Sequence, residues 1–281
     1  MPERLPVRKT YKLYINGQFP RSESGRTYIV NDAKGRLMAN AAQASRKDAR
    51  DAVVAARAAF GGWSGRTAYN RAQIVYRIAE VLEGRREQFE AELRASEGVS
   101  AARARTYLDA AVDRLVWYAG WADKLAQVLG GANPVAGPYF NFTVPEPTGV
   151  VAVIAPEEPA LAGLVSRIMP VIVGGNAVVA VVSEQQPSAA IELAEAIATS
   201  DLPGGVVNLL TGFRDELAPV LAGHMDVNAI DVTGAEGSTS ELERLAADNV
   251  KRVVHGTADE QSPWVIASFL ELKTVWHPVG Q

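Results

Sequence analysis

The side chains able to carry chemistry in this 281-residue sequence are sparse, and one chemical type is missing. The sequence has no cysteine, so it offers no thiolate as nucleophile or metal ligand and can form no disulfide. His224, His255 and His277 fall in three different predicted elements. They are too dispersed for a base pair or a metal set and are read as structural or surface groups. Glu157 and Glu158 suggest paired carboxylates, but adjacent side chains point apart, and the pair is expected to face water at a helix start. Gly174-Gly175 and Gly204-Gly205 are turn glycines with no phosphate-cradling motif around them. No Gly-x-Ser-x-Gly elbow occurs, which leaves serine hydrolysis without support. No catalytic and no metal-binding residue is assigned on these grounds.

The elements that would position these groups change character along the chain. Ser45 and Asp48 stand at capping-box spacing ahead of a breaker-free helical run over 51–60. Ile74, Ile78, Val81, Leu82, Phe89 and Leu93 keep helical period and predict a helix over 70–97, and Leu108 to Leu129 continue it in another. A breaker-rich linker follows over 130–138, then an extended run over 139–144 that ends at Pro145 and Pro147. From Gly149 onward, short apolar strands (150–154, 177–181, 206–210, 229–232, 252–254) alternate with helices (161–173, 187–199, 215–221, 239–247). Strands apolar on both faces and joined by helices predict an α/β fold, a Rossmann-like parallel sheet with helices on both faces.

Composition narrows the function classes. Apolar residues make up 48% and charged residues 21%, as in an ordinary globular protein. The net charge of −4, with arginines mixed among acids, argues against nucleic acid as a partner. The apolar runs are too short to span a bilayer, and Met1-Pro2-Glu3-Arg4 begins no secretory stretch. A cytoplasmic protein without membrane partners is expected. Residues 262–277 read as a second long extended segment like that over 139–144. Tyr139, Phe140, Phe142, Val144, Phe269, Leu272, Val275 and Trp276 make these ribbons apolar, and a two-stranded ribbon is marginal alone, so they are assigned to a protein interface.

The ordered motifs resemble the aldehyde dehydrogenase superfamily. Tyr14-Ile15-Asn16-Gly17-Gln18-Phe19 is similar to the family's opening strand, and the run from Ala52 to Phe60, then Trp63, then Arg71-Ala72-Gln73-Ile74, to its first helices. Glu146-Pro147-Thr148-Gly149 resembles the entry to its first cofactor-domain strand, and Asp201-Leu202-Pro203-Gly204-Gly205-Val206-Val207-Asn208 with Thr211-Gly212 matches a further stretch closely. The resemblance implies a cofactor-type domain over 1–136 and 149–261, and a β oligomerisation arm over 137–148 and 262–281. It also implies loss of the catalytic domain, because the sequence passes from Gly256 to a stretch at 271–278 like the family's C-terminal oligomerisation strand.

Departures from the family pattern matter as much. Where the family has Pro-Trp-Asn-Phe-Pro, this sequence has Pro156-Glu157-Glu158-Pro159-Ala160, so Glu158 stands for the oxyanion-stabilising asparagine. Loss of one such donor raises a barrier by about 2.7–4 kcal/mol. Val181 replaces a ribose-binding lysine, leaving Ser183 and Glu184 as a residual cofactor site, with Gly234 in the altered pyrophosphate loop. Glu236 and Glu241 put carboxylates near that helix start, Ser238 and Glu241 keep capping-box spacing, and Val253-Val254-His255-Gly256 lacks the general-base glutamate. With nucleophile, base and oxyanion donor missing, the resemblance implies a catalytically inactive homologue, or pseudoenzyme. It would act as a structural or regulatory subunit beside an active aldehyde dehydrogenase, like the non-catalytic second unit of double-domain aldehyde dehydrogenases. No cofactor is expected, with weak NAD(P) binding as the residue of one. An NAD(P)-binding protein or sensor and a self-associating architectural protein are the alternatives.

Overall fold

The computed structural model describes residues 8–280. The chain opens with β1 (Thr10–Tyr11), β2 (Thr27–Asn31) and β3 (Leu37–Ala42), which form a small sheet in the order β1-β3-β2. Neither β2 nor β3 carries a clean alternation of polar and apolar residues, and the sequence reading missed both.

Helix α1 (Arg46–Ser64) begins where the capping box predicts. The Ser45 hydroxyl accepts from the Lys47 and Asp48 amides, and the Asp48 carboxylate accepts from the Ser45 amide. The single helix expected over 70–97 is two, α2 (Ala68–Gly84) and α3 (Arg86–Ser96). Arg85 between them leaves helical geometry at φ −110°, ψ 18°, and its guanidinium reaches Glu195 at 2.9 Å. Then come α4 (Ala101–Ala119), α5 (Leu125–Leu129) and a short β4 (Gly131–Asn133) inside the expected linker.

The next strand, β5 (Tyr139–Pro147), runs through both prolines that were expected to end it. Its partner β4 covers only positions 141–143, so Pro145 and Pro147 lie where no strand on that side needs an amide hydrogen. Then β6 (Val150–Ile154), α6 (Ala160–Val173), β7 (Ala177–Val181), α7 (Pro187–Ile197), β8 (Val207–Leu210), α8 (Arg214–Ala222), β9 (Ala229–Asp231), α9 (Thr239–Ala247) and β10 (Arg252–Val254) follow close to prediction. Among the described residues the central sheet has five parallel strands in the order β10-β9-β6-β7-β8.

Side-chain alternation along the central strands feeds two cores. Val151, Val153, Val178 and Ala180 pack with α2, α3, α4, α6 and α7, whereas Val150, Ala152, Val179 and Val181 pack with α1, α8 and α9. Helices therefore cover both faces, which is why the strands read as unbroken apolar runs. No helix among the described residues is long and apolar enough to cross a membrane.

The expected extended segment over 262–277 is instead a short helix, α10 (Pro263–Ala267), followed by β11 (Leu270–Pro278). Ser262 caps α10 by accepting from the Trp264 amide. β11 pairs antiparallel with β5 over nine positions and forms one edge of a three-stranded sheet in the order β11-β5-β4.

Candidate functional site

The five central strands end at one crest, where a cleft of about 720 Å³ is lined by the loops after β6, β7, β8, β9 and β10. Chain order reverses between β6 and β9, so the cleft lies at the sheet's topological switch point, where open α/β sheets bind ligands. Ser183, Glu184 and Gly234 all come to this crest, as the resemblance implies.

The centre of the cleft, however, is Glu157, which the sequence reading placed facing water. Its carboxylate accepts from the Ser183 hydroxyl at 2.5 Å, the Glu184 amide at 3.2 Å and the Gln185 amide at 3.4 Å, and pairs with Arg214 at 2.8 Å. Arg214, at the first turn of α8, also donates to the carbonyls of Ala155 and Gly234, while its own amide donates to the Glu184 carboxylate. Arg214 escaped the sequence reading because its partners are carbonyls and carboxylates brought from three other loops. Gly234 serves close backbone approach: a Cβ there would lie 2.1 Å from the Ala155 carbonyl oxygen.

These residues do not fit a dinucleotide. The Ser183 hydroxyl already donates to Glu157, and one Glu184 carboxylate oxygen already accepts from the Arg214 amide. Five carboxylates (Glu157, Glu158, Glu184, Asp215 and Glu236) line the cleft against one guanidinium, itself paired, which opposes a pyrophosphate electrostatically. Ser238 makes no side-chain cap on α9, so the expected capping box with Glu241 is not formed.

Beneath the cleft lies a fully buried ion pair. Arg167 on α6 donates from Nε to Asp231 at 2.7 Å, with both side chains 0% exposed, and Asp231 also accepts from the Thr233 amide at 3.0 Å. Gly256 closes over this guanidinium, where a Cβ would stand 2.4 Å from Nη1. The histidines stay apart: His255 contacts Glu243 at 3.1 Å, and His224 Nδ1 accepts from the Asp226 amide. Burial lowers the pKa of His224.

The predicted interface residues separate into three groups. Phe140, Phe142, Val144 and Val275 share one face of the β5–β11 ribbon, with Phe142 paired to Val275. Tyr139, Leu272 and Trp276 share the other, where Tyr139 and Trp276 meet edge to face at 5.7 Å. Phe269 belongs to neither. It is 0% exposed, packed in the core in the turn after α10, and cannot reach a partner. From Leu272 to Pro278 every β11 residue is exposed, whereas β5 is exposed only at Tyr139 and Phe140 and buries Asn141.

The family model described as "Aldehyde dehydrogenase family" matches residues 19–276. A mitochondrial benzaldehyde dehydrogenase of Antirrhinum majus is 34% identical over 258 residues, covering 90% of this chain and 48% of its own length. The cytosolic aldehyde dehydrogenase 1 of Elephantulus edwardii is 33% identical over 252 residues, covering 86% and 49%. An aldehyde dehydrogenase of Bacillus cereus, solved as an NAD+ complex, superposes with a TM-score of 0.82 at 29% identity, over 89% of this chain and 51% of its own. The chain thus spans about half the length of the relatives it matches. The matched span and the shared fold agree: the chain belongs to the aldehyde dehydrogenase family.

Proposed function

We propose that this chain is a non-catalytic member of its family, a structural or regulatory subunit that docks onto an active aldehyde dehydrogenase. The observation that carries this reading is the β5–β11 ribbon. It bears the exposed side chains of Tyr139, Phe140, Leu272, Val275 and Trp276, and its outer strand β11 is exposed from Leu272 to Pro278 at an open edge. Such an edge is a template for a further strand, and its aromatic content suits a buried contact. The chemistry supports the same reading. A sequence without cysteine cannot form the covalent thiol intermediate, and Glu158 at the crest is an acceptor where the family places a donor.

The test is light scattering on the purified chain, alone and mixed with a purified active aldehyde dehydrogenase from the same cell. A stable mixed complex is expected, lost in the double variant Leu272→Lys, Trp276→Asp. Self-association without mixed complexes would favour the architectural alternative instead. The nucleotide-sensor reading keeps one point in its favour, that Glu184 and Gly234 line one cleft, with Ser183 bonded to Glu157 of its wall. Micromolar binding of NAD by calorimetry would promote it.

A further inference from the structure

One side chain at the crest is held as a ligand would be. The Glu157 carboxylate, on the loop after β6, receives two donors at each of its oxygens. Oε1 takes the Glu184 amide at 3.2 Å and Arg214 Nη2 at 2.8 Å. Oε2 takes the Ser183 hydroxyl at 2.5 Å and the Gln185 amide at 3.4 Å. Two successive backbone amides, a hydroxyl and a guanidinium converging on one carboxylate make an anion cradle of charge-assisted bonds.

The donors are fixed by partners other than Glu157. The Arg214 guanidinium also donates to the carbonyls of Ala155 and Gly234. Ser183 Oγ accepts from the Gln186 amide at 3.0 Å, which leaves its own hydrogen for Glu157. The loop carrying the Glu184 and Gln185 amides is tied to α8, because the Glu184 carboxylate accepts from the Arg214 amide. The cradle is also within reach of solvent. The Glu157 side chain is 30% exposed, and Glu157, Glu184, Gln185 and Arg214 all line the cleft of about 720 Å³. Charge selects the guest. Glu158, Glu184, Asp215 and Glu236 line the same cleft and repel a multiply charged anion, whereas a single carboxylate in place of Glu157 adds no charge that is not already there.

We infer that the crest is a monocarboxylate receptor filled by the chain's own Glu157, and that this internal ligand closes it to carboxylates from outside. The inference does not rest on the docking reading, because the ribbon takes no part in it.

Glu157→Ala removes an acetate-sized fragment, so acetate is the probe. Thermal melts of the full chain and of this variant are run in sodium acetate, with sodium chloride holding ionic strength constant and acetamide as the uncharged isostere. Glu157→Ala should melt below the parent, and acetate should raise its midpoint saturably by at least about 2 °C, with no such rise from acetamide or in the parent. Adding Ser183→Ala should weaken acetate by roughly 10-fold, as expected for one hydrogen bond to a charged group. Circular dichroism reports folding, and a variant that folds only with acetate gives the same support. Should Glu157→Ala stay unfolded even in acetate, Glu157→Gln decides. Its amide keeps the size but sets a donor against donors, so it should melt well below the parent, where an ordinary exposed ion pair would lose almost nothing. No saturable acetate shift in Glu157→Ala, an equal shift in the parent or with acetamide, or an acetate affinity unmoved by Ser183→Ala overturns the inference. So does a Glu157→Gln that melts with the parent, if the alanine variant does not fold.

Discussion

At the scale of single residues, the buried Arg167–Asp231 pair is the most exposed to error. Removing one partner strands a charge in the core, which destabilises by about 3–5 kcal/mol, whereas replacing both by apolar residues of similar volume is often neutral. Chemical denaturation should therefore find Asp231→Ala severely destabilised and Arg167→Met, Asp231→Leu close to the parent; equal losses in the two would contradict it. Glu97 makes a second prediction. Burial, and secondarily the charge of Glu158, raises its pKa to about 7, with the Ala160 amide and Arg103 pulling it back. Between its ordinary value near 4.5 and about 7 the folded chain keeps a proton that the unfolded chain has released, so stability falls as pH rises through that window. At pH 8 Glu97→Gln should be more stable than the parent by about 1–2 kcal/mol, discounted for partial solvent access, and the gap should close by pH 4. Thermal melts at the two pH values check this. The partners in the ion pair and at the crest are distant in sequence: Asp231 lies 64 positions from Arg167 and Glu157 lies 26 from Ser183. The sequence reading could name Glu157 and Ser183 but not join them.

At the scale of elements, what was legible was what is local. The capping box of α1 appears as read, because its donors and acceptors lie within three residues. Asp48 does more than the motif promised, also accepting from the Ser22 hydroxyl at 2.7 Å and the Glu23 amide at 3.1 Å. Asp48→Ala, which leaves several donors unmet, should cost more than the roughly 1 kcal/mol of Ser45→Ala, as urea midpoints would reveal. The strands of the central sheet were legible because both their faces are buried. The break at Arg85, the helix α10 and the continuation of β5 through two prolines were not. Each depends on a partner elsewhere: Glu195 for Arg85, the core around Phe269 for α10, and the shortness of β4 for β5. Periodicity reports which face is apolar and is silent on what that face meets.

At the scale of the whole molecule, the fold was readable from the alternation of apolar strands with helices, and family membership from ordered motifs. The crest was readable only in part, since Glu157, Ser183, Glu184 and Arg214 bond to one another in a network that no family pattern describes. That network predicts that the chain alone forms no NADH from aldehyde and NAD, by absorbance at saturating substrate; turnover above background would refute the non-catalytic reading. The ribbon's geometry also sets how far any assembly could grow. β11 offers a long free margin, but the opposite margin is β4, three residues long, with Pro145 and Pro147 beyond its end denying hydrogen-bond donors to a newcomer. A strand-adding contact can thus propagate in one direction only, and a module with a single usable valence closes into pairs instead of threading into fibres.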